Sequence, residues 1–147
     1  MALRDQRSSD EVAAQLEQDS RKLIEAFTSH HMHDTAIMNL MHTDLKAHFD
    51  DFPAATSAAS HVARLTDTSL RHPDWQVQIL NACTSVNVPA GYGTVWMTLG
   101  ISGVPLKEFE NVRREAVCIM TWHWQVDGKW LLVEQRNVRG PGRGTVP

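Results

Sequence analysis

Eight histidines in a chain of 147 residues are the first side chains that suggest chemistry. His48 and Asp50 stand two apart in the stretch Leu45-Lys46-Ala47-His48-Phe49-Asp50-Asp51-Phe52-Pro53. On an extended chain they leave one face together, with Phe49 and Asp51 on the other. A carboxylate held in an apolar cavity has its pKa raised by desolvation, which suits proton transfer near neutral pH. A neighbouring imidazole can relay the proton or keep the carboxylate ionised. His30, His31 and His33 crowd the end of a helical pattern, but three histidines in one loop do not converge on a metal ion without help, so no metal is expected. His123 lies between Trp122 and Trp124. If Val117, Ile119 and Thr121 point inward, so does His123; in the opposite register Trp122 and Trp124 do. His61 and Arg64 share one pattern of helical spacing and could orient an anionic or carbonyl group. Five tryptophans, Trp96 among them, suit the stacking of flat hydrophobic ligands, whereas a single tyrosine leaves few phenolic donors.

The elements that must position these groups can be read from spacing. Ser8-Ser9-Asp10-Glu11 fits a capping box, and Ala13, Leu16, Ser20, Leu23 and Phe27 then recur at threes and fours, making one helical face with Ser20 as its polar intruder. Asp34 is placed to cap a short second helix carrying Ile37, Met38 and Met41. A short strand over 45–53 is stopped by Pro53. Thr56-Ser57 caps a third helix with Ala58, Val62, Leu65 and Leu70 inward, closed by His72-Pro73. From Trp75 onward the chain alternates in the manner of strands, over 75–88, 94–101, 112–126 and 130–138, with Asp127-Gly128 as its strongest hairpin signal. Glu134 and Arg136 alternate on the last of these.

Length and composition set the bounds. One domain is expected over 9–138, with flexible ends at 1–8 and 139–147. Lys and Arg number 14 against 17 Asp and Glu, a net charge of −3, which lacks the basic excess expected of a nucleic-acid binder. No run approaches the roughly 20 apolar residues needed to cross a bilayer. Met1-Ala2-Leu3-Arg4-Asp5 lacks the apolar core of a secretory signal. Cys83 and Cys118 are too few for a disulfide framework and are expected to be reduced core residues in a cytoplasmic protein. Three helices followed by long strands make an α+β pattern in which a curved antiparallel sheet closes over the helices and leaves a cavity suited to small ligands.

The order of elements, with the helix ending before His33-Asp34, the stretch Asp44 to Pro53 and the hairpin from Trp122 to Trp130, resembles the NTF2-like fold. That fold includes ketosteroid isomerases, scytalone dehydratases and small polyketide cyclases of the SnoaL type. The resemblance spans Ser9 to Val138 and implies a cone of three N-terminal helices packed into a strongly curved sheet. It places Asp50 at the position of the ketosteroid isomerase base and turns the face of His48 and Asp50 into the cone. The isomerase tyrosine falls at Ala26 and its partner acid near Met120. The Tyr-Asp pair of scytalone dehydratases falls at Ser29-His30, a further tyrosine at Phe49, and their strand residues at Val117 and Ile119. The fold of these enzymes is thus expected without their catalytic sets. What the resemblance implies is a cofactor-independent isomerase, cyclase or dehydratase acting on a hydrophobic, oxygenated molecule of polyketide or terpenoid origin. In that reading Asp50, His48, His30 and His123 are the catalytic candidates. Trp96, Phe49, His61, Arg64, Ile119 and Thr121 are the substrate contacts. A homodimer through the outer sheet face is also expected. The alternative is a non-catalytic ligand-binding or dimerisation module.

Overall fold

The computed structural model describes residues 4–49, 52–103 and 114–139. In chain order these form α1 (Ser9–Thr28), α2 (Thr35–Met38), β1 (Met41–Phe49), β2 (Phe52–Ala55), α3 (Ala58–Arg71), β3 (Gln76–Asn87), β4 (Tyr92–Ser102), β5 (Arg114–Trp124) and β6 (Trp130–Arg139). The six strands make one sheet in the order β2-β1-β6-β5-β4-β3. All neighbours are antiparallel except β1 and β6, which run parallel.

Local signals start and stop the helices where the sequence places them. Glu11 N–H donates to Ser8 Oγ at 3.2 Å at the head of α1. Its tail closes through His31 N–H to Ala26 O (2.8 Å) and His30 N–H to Phe27 O (3.3 Å), with His30 itself at φ 63°. That paired closure needs a left-handed residue, a position more often given to glycine. Ser57 caps α3 and forms a capping box with Ser60. The buried side of α3 is Ala58, His61, Val62, Leu65 and Ser69, so Leu70, expected inward, is turned to solvent. Ser69 takes the inward place because it continues the three-and-four spacing from Val62 and Leu65, which Leu70 breaks. Met41, read as part of the second helix, instead opens β1, and Pro53 is accommodated in β2 at the sheet edge rather than ending the strand.

A tight turn ties the last two strands. In the β5–β6 hairpin Gly128 N–H donates to Gln125 O (3.0 Å) with Gly128 at φ 88°, the left-handed position that the Asp127-Gly128 signal anticipates. Within the segment 1–8, Asp5 is buried: its Oδ2 accepts from Trp130 Nε1 at 2.9 Å and from Arg7 at 2.7 Å. The Arg7 guanidinium holds the Asp5 carboxyl well below the usual carboxylate range. Residues 140–147 of the expected tail lie outside the described residues.

The concave side of the sheet carries Val95, Met97 and Leu99 of β4 and Cys118, Met120 and Trp122 of β5, packed against Val12, Leu16, Leu23 and Phe27 of α1. Trp122 is paired across the sheet with Gly93. A Cβ at Gly93 would lie 2.5 Å from Leu16 Cδ1, so α1 seats itself where the strand has no side chain. Ser20, the polar intruder of the α1 face, is fully buried because its Oγ accepts the Trp122 indole N–H at 3.0 Å.

Candidate functional site

A cavity of about 470 Å³ opens between α1, α3 and the concave sheet. Its walls are mainly apolar: Leu23, Ile24 and Phe27 from α1, Met41 and Phe49 from β1, Leu65 from α3, Leu99 and Ile101 from β4 and Met120 from β5. Trp75, before β3, also lines it and meets Phe27 edge to face with ring centroids 4.6 Å apart. Arg71, exposed, and the half-buried His72, Arg114 and Glu115 are its more accessible charged and titratable members and mark the mouth. Polar groups inside are few: His61, Gln135, Asn137 and Thr68, whose hydroxyl is spent on the Arg64 carbonyl.

His61 projects from the buried side of α3, 2% exposed, with its ring edge to face with Phe49 at 5.6 Å. Burial, aided by the nearby Arg64 charge and opposed by a hydrogen bond with the Gln135 side chain, lowers its pKa to about 4. The ring is therefore neutral at neutral pH. Its Nδ1 is buried without a hydrogen-bond partner. Gln135, 5% exposed, spends its Nε2 on two long contacts, Cys118 Sγ at 3.6 Å and Asn137 Oδ1 at 3.4 Å. Cys118 is fully buried and its thiol is pushed up to about 12, so it takes no part as a nucleophile at neutral pH.

Gln135 and Asn137 reach the cavity through a register shift. Thr121 pairs with Glu134, but Trp122 pairs with Leu132, so β6 carries one extra residue at that point. Strict alternation from Trp130 and Leu132 would aim Glu134 and Arg136 inward; the bulge exchanges the phase and presents the two carboxamides instead. Glu134 and Arg136 form a pair with each other at 3.9 Å on the accessible face. No pattern in the sequence announces the bulge, which is why these two residues escape a reading by alternation.

The sequence-read candidates divide accordingly. Phe49 and His61 line the cavity. His48 does not: the parallel register sets Phe49 beside Asn137 and His48 beside Arg136, on the opposite face. Asp50 lies outside the described residues. The inward residues of β5 are Ala116, Cys118, Met120 and Trp122, so Ile119, Thr121 and His123 sit on the outer face, one residue out of phase with the register adopted from sequence. There His123 rests against Tyr92, ring centroids 5.4 Å apart. Trp96 is 39% exposed on that same outer face, opposite Ile119. Cys83, expected in the core, is exposed beside it. Arg64 donates to the Pro53 carbonyl oxygen. The clustered histidines go to three separate partners: His30 Nδ1 to Ser69 Oγ (2.9 Å), His31 to Asp34 (3.3 Å) and His33 to Thr66 (3.1 Å).

No known protein-family description matches the sequence, and no curated protein matches it. Solved structures do. An NTF2-like protein of unknown function from Pseudomonas putida superposes with a TM-score of 0.71 at 8% identity, covering 95% of this chain and 94% of that one. Hexachlorocyclohexane dehydrochlorinase LinA-type3 from Novosphingobium barchaimii gives 0.70 at 10% identity, with 90% of each chain covered. The association domain of CaMKII from C. elegans gives 0.63 at 10% identity, over 88% of this chain and 97% of that one. The fold is NTF2-like.

Proposed function

We propose that this chain binds a hydrophobic, oxygenated small molecule of polyketide or terpenoid type in the cavity and acts on it by cofactor-independent proton transfer, as an isomerase, cyclase or dehydratase. One observation carries the reading: a neutral, fully buried imidazole with an unpartnered nitrogen stands on the wall of a largely apolar chamber. A neutral imidazole accepts a proton without first losing one, and an apolar chamber excludes competing water. His61 takes a proton from carbon next to a carbonyl. In an isomerisation it returns that proton elsewhere on the conjugated system; in a dehydration the C–O bond breaks and the departing hydroxyl leaves as water with the same proton. Asn137, its Oδ1 held by Gln135, supplies the amide N–H that donates to the oxygen on which charge develops. The fold likeness to a dehydrochlorinase adds an elimination among the reactions this architecture hosts.

The test is a panel of polycyclic β-hydroxyketones followed by near-ultraviolet absorbance of the enone product, with His61→Asn and Asp50→Asn compared to the parent. Loss of turnover by 10²-fold or more in His61→Asn, on the scale of general acid–base catalysis, supports the assignment. Full activity in His61→Asn with loss in Asp50→Asn moves the base to Asp50. Binding of the panel without turnover favours a carrier.

The outer face of the sheet supports a second element of the proposal, a homodimer. Trp96, Val117 and Val138 are each more than a third exposed there, flanked by the oppositely charged Glu134 and Arg136. A patch with an apolar centre and both signs of charge at its edge can match a second copy of itself about a two-fold axis. Light scattering of the parent and of Trp96→Glu tests it: a dimer converted to a monomer is the expected result, and a monomeric parent refutes it.

A further inference from the structure

Among the described residues, three buried side-chain polar atoms lack a partner: His61 Nδ1, Trp75 Nε1 and Thr84 Oγ1. The first two belong to residues that line the cavity, and the third does not. A hydroxyl also rotates to suit its surroundings, whereas an indole N–H is a donor fixed in the ring plane and has no other way to satisfy itself. Leaving such a donor buried and unpaired carries the full cost of stripping it of water. Two other buried indoles contrast with it: Trp122 Nε1 donates to Ser20 and Trp130 Nε1 to Asp5. Trp75 is also held in place, because Phe27 packs against its ring at 73°.

From this we infer that Trp75 is a specificity-determining residue whose Nε1–H donates to an oxygen acceptor of the ligand, a carbonyl or ether. Trp75 precedes β3, on the stretch that His72 and the end of α3 lead into, while His61 lies near the first turn of the same helix. Beside the polar group formed by His61, Gln135 and Asn137, the cavity therefore has a further donor in Trp75, and the fitting ligand has an apolar body with two oxygen functions, one acceptor for Trp75 and one reacting group within reach of His61. The inference rests on the reading of the cavity as a small-molecule site.

Two probes of matched shape test it, 2-acetylnaphthalene and the hydrocarbon 2-isopropylnaphthalene, titrated into the parent protein and into Trp75→Phe. Phenylalanine keeps an apolar ring against Phe27 and removes the donor with part of the indole bulk, a loss of apolar contact common to both probes, so the ratio of their affinities reports the donor. The ketone is expected to bind the parent roughly 5- to 15-fold more tightly than the hydrocarbon, and Trp75→Phe to bring the two affinities together. In protein labelled with ¹⁵N-tryptophan, one indole N–H resonance moves downfield with the ketone and not with the hydrocarbon, a readout that does not depend on the variant folding. Equal affinities in the parent, or no indole shift, overturn the role of Trp75 and leave the cavity reading intact. If neither probe binds, the cavity reading itself fails, and this inference with it.

Discussion

Trp122 Nε1 and Ser20 Oγ meet at 3.0 Å across 102 positions of sequence, inside a core where neither residue has measurable solvent exposure. The contact ties α1 to β5, two elements that each contribute residues to the cavity. Ser20→Ala strands the indole N–H and is expected to lower stability by about 1–3 kcal/mol in urea unfolding. Adding Trp122→Phe to it should cost clearly less than the two single changes summed, because both partners then go together. Strict additivity would show that the bond contributes nothing.

His61 makes stability depend on pH in a defined window. Its pKa falls from 6.5 to about 4 on folding, so between those values the unfolded chain binds the proton and the native chain does not. Stability is therefore full above pH 6.5 and declines as pH falls to about 4, by about 3 kcal/mol in all. Asp5 has a depressed carboxyl and adds its loss at lower pH, beneath its unfolded value. Denaturation midpoints measured at pH 4.5, 5.5 and 7 should slope in the parent and flatten in His61→Leu. An unchanged slope in that variant would falsify the assignment.

Gly93 is set by packing. Its missing Cβ would come within 2.5 Å of Leu16 Cδ1, and within 3.3 Å of Val86 Cγ2. Gly93→Ala is expected to lower stability by about 1–3 kcal/mol through overpacking. Shortening the opposing side chain in Gly93→Ala/Leu16→Val should recover part of that loss, read as melting temperature. A single variant as stable as the parent would refute the close approach.

The two thiols should separate by reactivity. Cys83 is exposed, while Cys118 is fully buried with its thiol pushed up to about 12. Titration with a chromogenic disulfide reagent is expected to modify one thiol promptly in native protein and the second only in denaturant. Prompt modification of both would place Cys118 within reach of solvent.

The register of the last strand has its own test. Because the bulge aims Gln135 into the cavity and Glu134 away from it, Gln135→Ala, which removes the side chain bonded to His61 and Asn137, should lower turnover of the β-hydroxyketone panel several-fold while Glu134→Ala leaves it unchanged. The reverse pattern would restore simple alternation from Trp130.

Much of the fold was written in local terms. Ser8, Ser57 and Asp127-Gly128 announce caps and a hairpin through hydrogen bonds and backbone angles that involve only nearby residues, and the structure forms all three. The apolar stripe of α1 and the alternation of β3 to β6 likewise state which elements exist, since burial follows a period of 3.6 or 2. Even the odd Ser20 could be noticed, though not its partner.

The candidate site was not legible in this way, and the reason is parity. A strand has two faces that differ by one residue, so a single added position exchanges cavity and exterior. The phase of β5 puts Trp122 inside and His123 outside, and the bulge in β6 brings in Gln135 and Asn137 in place of Glu134 and Arg136. His61 was visible as a helical neighbour of Arg64, but its neutrality comes from how completely α3 is pressed against the sheet. Sequence determined the elements and their order, because those depend on neighbours along the chain; which side chains share the cavity was decided only by how distant strands pair, a choice no local interaction makes.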